Sequence, residues 1–114
     1  MKHFPDELNG RYQAVQLFLK DDDGRTYGGL IGEICWNWMQ IEFVYVAEEQ
    51  RRMGYGKSLL IEAARIANEN KCDFIKLDTL SFQALDFYKK QGFHVFGEIP
   101  NAGGYTHYYL KKDI

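Results

Sequence analysis

A glycine-containing turn between an apolar strand and an amphipathic helix constrains this chain more than any other feature. The apolar run 44–46 leads into a basic segment with two glycines, and a helix-forming stretch follows. Glycine lets backbone N–H groups approach an anion without an intervening Cβ. The helix N-terminus adds partial positive charge, and Arg51, Arg52 and Lys57 add full charges. The segment therefore predicts a binding site for a phosphate or pyrophosphate group.

The spacing of the glycines separates three kinds of phosphate-binding turn. A P-loop of the form G-x-x-x-x-G-K-[ST] would place its first glycine where Arg51 stands. A dinucleotide-binding turn, G-x-G-x-x-G, would need a glycine where Leu59 stands. The pattern that remains is R-x-x-G-x-G, from Arg51 to Gly56.

That pattern, between a strand and a helix, resembles the acetyl-coenzyme A pyrophosphate loop of the GNAT superfamily of N-acetyltransferases. A second match begins 25 residues beyond Gly56, at Ser81. There, the run S-F-Q-A-L-D-F-Y-K-K-Q-G-F is similar to the family segment N-x-x-A-x-x-[FL]-Y-x-x-x-G-F. Two motifs in the right order and at the right distance are more specific than either alone. The resemblance covers residues 30–110 and implies an acetyl-CoA-dependent N-acetyltransferase.

The periodicity of apolar residues predicts the element order β-β-β-α-β-α-β-β. The predicted strands are Tyr12–Lys20, Thr26–Trp38 with a bend at Asn37, Met39–Val46, Asp73–Thr79, Phe93–Glu98 and Tyr105–Lys112. The predicted helices are Lys57–Asn70 and a second one, capped by Thr79 or Ser81, that ends near Gln91. The strand–helix–strand unit implies a right-handed parallel crossover, and the flanking hairpins imply antiparallel pairs. We therefore predict an α+β fold (α/β by some conventions) with a mixed, GNAT-like sheet.

The composition predicts one small domain, residues 1–114, with 46% hydrophobic residues and a net charge of −2. That charge favours neither nucleic acid nor an anionic membrane as a partner, and no apolar run reaches membrane-spanning length. Cys35 and Cys72 lack a C-x-x-C or histidine partner, so we expect core thiols, no metal site and a cytoplasmic location.

The resemblance also implies roles for individual residues. The implied cofactor-binding residues are Val44, Tyr45, Val46, Arg51, Arg52, Met53, Gly54, Tyr55, Gly56, Lys57, Ser58 and Ser81. Backbone groups of the first segment would bind the pantetheine arm, and the segment from Arg51 to Ser58 would bind the pyrophosphate. Ser81 stands where the family usually has asparagine, which makes more hydrogen bonds.

The resemblance makes Tyr88 the candidate general acid, because a phenol with a pKa near 10 can protonate a departing thiolate when the site assists it. The alternative is a tyrosine packed in the core with its hydroxyl bonded to a carbonyl. Glu42 is the candidate base that frees the acceptor amine, and Glu33 on the neighbouring strand is a second carboxylate. His107, close to Tyr105, could contact the substrate, although a lone histidine near the C-terminus is more often a surface or packing residue.

The acceptor side departs from the family pattern. Family members usually carry a strand and two helices before the region of Tyr12, where this sequence has only eleven residues. The acceptor pocket would then be open, or completed by another subunit. Tyr105, Tyr108 and Tyr109 suit either a homodimer contact or core packing. The acceptor would be a small-molecule amine or a protein amino group, and the alternative function is a non-catalytic, regulatory CoA- or acyl-CoA-binding module.

Overall fold

A six-stranded mixed sheet with two helices forms the frame of the protein. The computed structural model describes residues 12–80 and 82–114. The strands are β1 (Gln13–Lys20), β2 (Thr26–Cys35), β3 (Trp38–Val46), β4 (Phe74–Thr79), β5 (His94–Ala102) and β6 (Tyr105–Asp113). The helices are α1 (Tyr55–Glu69) and α2 (Phe82–Lys90), and a short 3-10 helix covers Glu48–Gln50. The strand order in the sheet is β1-β2-β3-β4-β6-β5.

The sheet opens between its two parallel strands. β3 and β4 are paired only from Trp38 opposite Phe74 to Gln40 opposite Lys76. Beyond these pairs β3 continues to Val46, so one edge of its backbone faces an opening, which we call the β3–β4 gap. The other strand pairs are antiparallel.

Both helices lie on the same face of the sheet. Their buried residues, such as Leu59, Ala63 and Leu85, belong to one core cluster with Ile75 and Leu77 of β4. Because side chains alternate along a strand, the neighbours of these β4 residues point to the opposite face, which we call the outer face. The outer face includes Glu33, Trp38, Gln40, Lys76, Asp78, His107 and Tyr109.

A β-bulge in β3 decides which of its side chains face the helices. Ile31 is opposite Phe43 and Gly32 is opposite Ile41, which leaves Glu42 as the extra residue. A Cβ on Gly32 would lie 2.5 Å from a backbone oxygen of β3, so this close approach requires glycine. The bulge shifts the alternation by one residue, and Val44 therefore packs against the core.

The predicted fold class is confirmed, and the element bounds differ at a few positions. β2 ends at Cys35 because Trp36 adopts a φ of 56° in a tight turn. α1 begins at Tyr55, two residues before the prediction, because Gly54 caps it in the left-handed conformation. Among the described residues, neither helix is long and apolar enough to cross a membrane.

Two leucine-sized side chains on α1 test this packing. Leu59 is 3% exposed and Ile61 is 58% exposed. We expect Leu59→Ala to lower the free energy of unfolding by about 2–5 kcal/mol, because it leaves a cavity in the core. Ile61→Ala, the matched control, should change it by no more than about 0.5 kcal/mol. Urea unfolding of both variants measures the difference, and equal losses would contradict the helix orientation.

Candidate active site

A cleft of about 560 Å³ lies between the end of β3, the turn before α1 and helix α2. The predicted site residues that line it are Val44, Tyr45, Val46, Arg51, Arg52, Gly54, Tyr55, Gly56, Lys57 and Tyr88. Gln50, Ala84 and Phe87 complete the lining. Met53, Ser58 and Glu42 do not line the cleft, and Ser81 lies outside the described residues.

The N-terminus of α1 presents backbone donors to this cleft. The N–H and the hydroxyl of Ser58 both donate to the Gly54 carbonyl, each at 3.0 Å. The N–H groups before Ser58 have no carbonyl within the helix to bond. No side chain among the described residues caps the helix, and its first turn holds no acidic residue. The amides of Tyr55, Gly56 and Lys57 can therefore bind an anion.

The two glycines of the turn are needed for different reasons. Gly54 has a φ of 83°, and a Cβ there would meet no atom within 4 Å, so its role is conformational. Gly56 lies in the first turn of the helix, where a Cβ would stand 3.2 Å from the Phe87 ring. Gly56 thus allows α1 and α2 to approach each other beside the cleft.

Positive charge surrounds the same amides. The Arg51 Nε donates to the Val46 carbonyl at 3.0 Å, which fastens the turn to the end of β3. Arg51, Arg52 and Lys57 form no ion pair with any residue that the structure describes. Their charges are therefore available to a bound anion.

Tyr88 reaches the cleft from α2. Its ring packs between Phe87, 5.3 Å away between centroids, and Phe93, 5.8 Å away. Burial raises the pKa of the Tyr88 hydroxyl above its ordinary value of 10.0. That hydroxyl makes no hydrogen bond to another described residue, whereas the core-tyrosine alternative expects one to a carbonyl. Within the described part of the chain, the cleft therefore holds a protonated hydroxyl that is available to a ligand.

The two candidate carboxylates have different surroundings. The Tyr12 hydroxyl donates to Glu33, a bond that raises the pKa of Tyr12. Glu42 is exposed on the bulge of β3, next to the β3–β4 gap. Of the two carboxylates, only that of Glu33 accepts a hydrogen bond from a described side chain.

The structure shows two features that sequence reasoning missed. Gln50 lines the cleft with a buried Oε1 atom that has no hydrogen-bond partner among the residues that the structure describes, and nothing in the local pattern marks this residue. The second feature is the contact of His107 with Asp78, which the sequence does not indicate. The Nε2 atom of His107 lies 2.6 Å from Asp78 Oδ2, because the β4–β6 pairing places the carboxylate beside the ring.

Cys35 is unsuited to act as a nucleophile. Burial, followed by the neighbouring Glu33, raises the pKa of the Cys35 thiol to about 11. A thiol attacks as its thiolate, so very little of Cys35 is reactive near neutral pH. Within the described part of the chain, no group of histidine, cysteine, aspartate and glutamate residues is placed to hold a metal ion.

Comparisons with known proteins agree with this geometry. The sequence model of the Acetyltransferase (GNAT) family matches residues 2–93. Blasticidin-S acetyltransferase of Streptomyces morookaense is 32% identical over 93 residues, which are 80% of this chain and 68% of that protein.

Solved structures have the same fold. An acetyltransferase from Bacillus cereus superposes with a TM-score of 0.89 at 35% identity, over 97% of this chain and 80% of that one. A Bacillus anthracis protein described as a streptothricin acetyltransferase, in complex with acetyl coenzyme A, has a TM-score of 0.82. It is 21% identical over 100% of this chain and 70% of its own, so this likeness concerns the fold.

The rate at which Cys35 is alkylated tests the raised pKa of its thiol. With a pKa of about 11 rather than 9.0, the thiol should react with iodoacetamide at pH 8 roughly a hundredfold more slowly than an unperturbed thiol. The rate should still rise about tenfold per pH unit between pH 8 and pH 10. Intact-mass kinetics on a Cys72→Ser variant isolate Cys35, and a rate that levels off near pH 9 would contradict the environment described.

Proposed function

Because the chain belongs to the GNAT family of acetyltransferases, we propose that it moves an acetyl group from acetyl-CoA to a primary amine by direct attack on the thioester. The family, the N-acetyltransferase class and the acetyl-CoA cofactor that the sequence predicted are confirmed by membership of this family. The acceptor, a small-molecule amine or a protein amino group, and the roles of individual residues belong to the proposal.

The observation that carries the proposal is the uncapped N-terminus of α1 in the wall of the cleft. We assign the cofactor pyrophosphate to the amides of residues 54–57, with Arg51, Arg52 and Lys57 supplying charge. These residues fit a diphosphate because backbone donors, a helix dipole and unpaired cations converge there. Met53 is 63% exposed and lies outside the cleft, so we expect only its backbone to contribute to the turn.

The pantetheine arm would lie along β3. Past Gln40 the backbone of β3 has no partner in β4, so an extended amide-bearing chain can pair with it as an added strand does. The Val46 carbonyl already accepts from Arg51, but a carbonyl has a second lone pair. Val44 and Tyr45 complete this edge of the cleft. Gln50 Oε1, which no other described residue contacts through a hydrogen bond, would accept one from the same arm.

In this proposal Tyr88 protonates the thiolate that leaves. The ordinary pKa of a thiol is near 8.5 and that of a phenol is near 10, so proton transfer from Tyr88 to the thiolate is unfavourable by itself. The negative charge that develops on sulfur and a site without competing water would favour this transfer. The raised pKa of Tyr88 keeps its hydroxyl protonated throughout the neutral range. Because Cys35 does not line the cleft, we propose no acetyl-cysteine intermediate there, and the amine would attack the thioester directly.

Glu42 is the carboxylate that we place on the acceptor side. It is exposed beside the β3–β4 gap, where a carboxylate attracts an incoming ammonium group and can accept its proton. The alternative, a non-catalytic CoA-binding module, would use the same cofactor cleft without this acceptor chemistry.

The remaining predictions concern assembly and location. Tyr108 is buried in the core, whereas Tyr105 is 66% exposed, so Tyr105 is the better candidate for a homodimer contact. The homodimer stays a prediction. So does the cytoplasmic location, which rests on two free cysteines.

Alanine substitutions at two glycines of similar backbone conformation test the assignment of the pyrophosphate to the turn before α1. Gly54 and Gly24 have φ values of 83° and 82°, and a Cβ at either would meet no atom within 4 Å. We expect Gly54→Ala and Gly24→Ala to cost similar stability, about 1–2 kcal/mol. Only Gly54→Ala should weaken CoA binding, by tenfold or more, because it displaces the donor amides. Calorimetric titration measures both, and equal affinities would contradict the assignment.

The substitution Tyr88→Phe tests the proposed role of Tyr88 as the general acid. The variant should lower kcat by about 10²–10⁴-fold and change KM for acetyl-CoA by less than about twofold, because the ring packing is retained. Tyr108→Phe, a buried tyrosine in the core, is the control and should keep its activity. Steady-state assays over a panel of amines supply the numbers. A wild-type protein that binds acetyl-CoA tightly and acetylates no amine would favour the module instead.

A further inference from the structure

The direction from which an acceptor can reach the thioester is limited by the fold. Helices α1 and α2 cover one face of the sheet, and the cleft is lined by the part of β3 that lies beyond its pairing with β4, beside the β3–β4 gap. An acceptor therefore reaches that gap from the outer face. A base for the acceptor ammonium must accordingly be an outer-face residue beside the gap.

The strand register identifies the residues at that position. Lys76 Nζ lies 3.2 Å from Gln40 Oε1, and this contact joins β3 and β4 at their last pair. Two residues further along each strand stand Glu42 on β3 and Asp78 on β4. Asp78 is thus at the edge of the gap, and His107 of β6 is bonded to it.

The contacts of His107 fix the orientation of its imidazole ring. Its Nε2 lies 2.6 Å from Asp78 Oδ2, and because a carboxylate only accepts, that nitrogen carries the proton. The lone pair is then on Nδ1, which is 3.4 Å from the Tyr109 hydroxyl. The ring stacks on Tyr109 with 4.5 Å between centroids. The imidazole is 25% exposed, so a bound amine or a water molecule can reach it.

We propose that His107, oriented by Asp78, is the general base that removes a proton from the acceptor ammonium, and that Glu42 attracts the ammonium without taking its proton; this inference rests on the proposed N-acetyltransferase function. The proton leaves the ammonium nitrogen for His107 Nδ1, directly or through the Tyr109 hydroxyl, which passes on one proton as it takes another. The imidazolium that forms is stabilised by Asp78. The neutral amine then attacks the carbonyl carbon, the carbon–sulfur bond breaks, and Tyr88 protonates the sulfur. The nitrogen loses its second proton as the amide forms, and this proton passes through water to the Tyr88 phenolate. The proton on His107 returns to solvent.

The charged groups around His107 agree with this role. Asp78 on β4 is its ion-pair partner, and Tyr109 lies beside it on β6. Two cations lie on this side: Lys76, with its Nζ 5.6 Å from the centre of the Tyr109 ring, and Lys111, with its Nζ 5.4 Å from the centre of the Phe74 ring. On β5 the residue opposite His107 is the apolar Ile99. Asp78 is therefore the group that compensates a charged imidazole.

Two acceptors that differ in basicity provide the test. An alkylamine is an ammonium ion at pH 7, whereas a weakly basic amine such as an anilinic amine is already neutral. We expect His107→Ala to lower kcat at least a hundredfold with the alkylamine and to change it less than threefold with the weakly basic amine. Added imidazole should restore the alkylamine reaction, and raising the pH should reduce the deficit, because the amine then loses its proton unaided.

The control variants separate catalysis from structure. His94→Gln replaces an exposed histidine of β5 and should leave both reactions unchanged. Asp78→Asn should reduce the alkylamine reaction, and KM for acetyl-CoA should stay constant in every variant. Equal losses of His107→Ala with both acceptors would overturn the inference, since they would indicate a structural role.

Other results distinguish this inference from the function on which it rests. If Glu42→Gln shows the acceptor-dependent loss and His107→Ala does not, Glu42 is the base and the inference is wrong, although the enzyme assignment stands. If the wild-type protein binds acetyl-CoA but acetylates neither amine, the proposed function fails and this inference fails with it.

Discussion

Backbone hydrogen-bonding groups that the fold leaves unpaired are the constraint on which the rest of this structure depends. They occur at two adjacent places, the first turn of α1 and the edge of β3 beyond Gln40. Buried or half-buried backbone groups without partners are costly, so both places favour a ligand that carries acceptors at one end and amide groups along its length. Acetyl-CoA has that constitution, with a diphosphate and two amides in its pantetheine arm.

The β3–β4 gap links these groups to the chemistry. Parallel pairing ends after Gln40 and Lys76, so the strands no longer occupy each other's hydrogen-bonding edge. The cofactor cleft borders the gap on the side of the helices, and the outer face borders it on the other. In the proposed mechanism, a thioester held between them would be exposed to Tyr88 from one side and to an acceptor amine from the other. The proposed proton donor for sulfur and the proposed base for nitrogen would then lie on different sides of the sheet.

The sequence predicted what is local and missed what depends on strand register. The R-x-x-G-x-G turn, the buried face of α1 and the fold class follow from short-range patterns, as do most strand bounds. The bulge at Glu42 and the limited pairing of β3 with β4 are set by cross-strand packing, for which one sequence gives no measure. The Asp78–His107 pair joins residues 29 apart in the chain. Even the two glycines, which the motif treats alike, serve different needs, because only the tertiary structure shows Phe87 beside Gly56.

The most direct measurement of the central claim is an ¹H–¹⁵N NMR titration that follows the backbone amides of Tyr55, Gly56 and Lys57. Coenzyme A and pantetheine are compared as ligands, since pantetheine lacks the diphosphate but can still occupy the edge of β3. The account predicts large downfield shifts of these three amides with coenzyme A and little change with pantetheine. Amides that stay in place with coenzyme A, while signals elsewhere move, would contradict it.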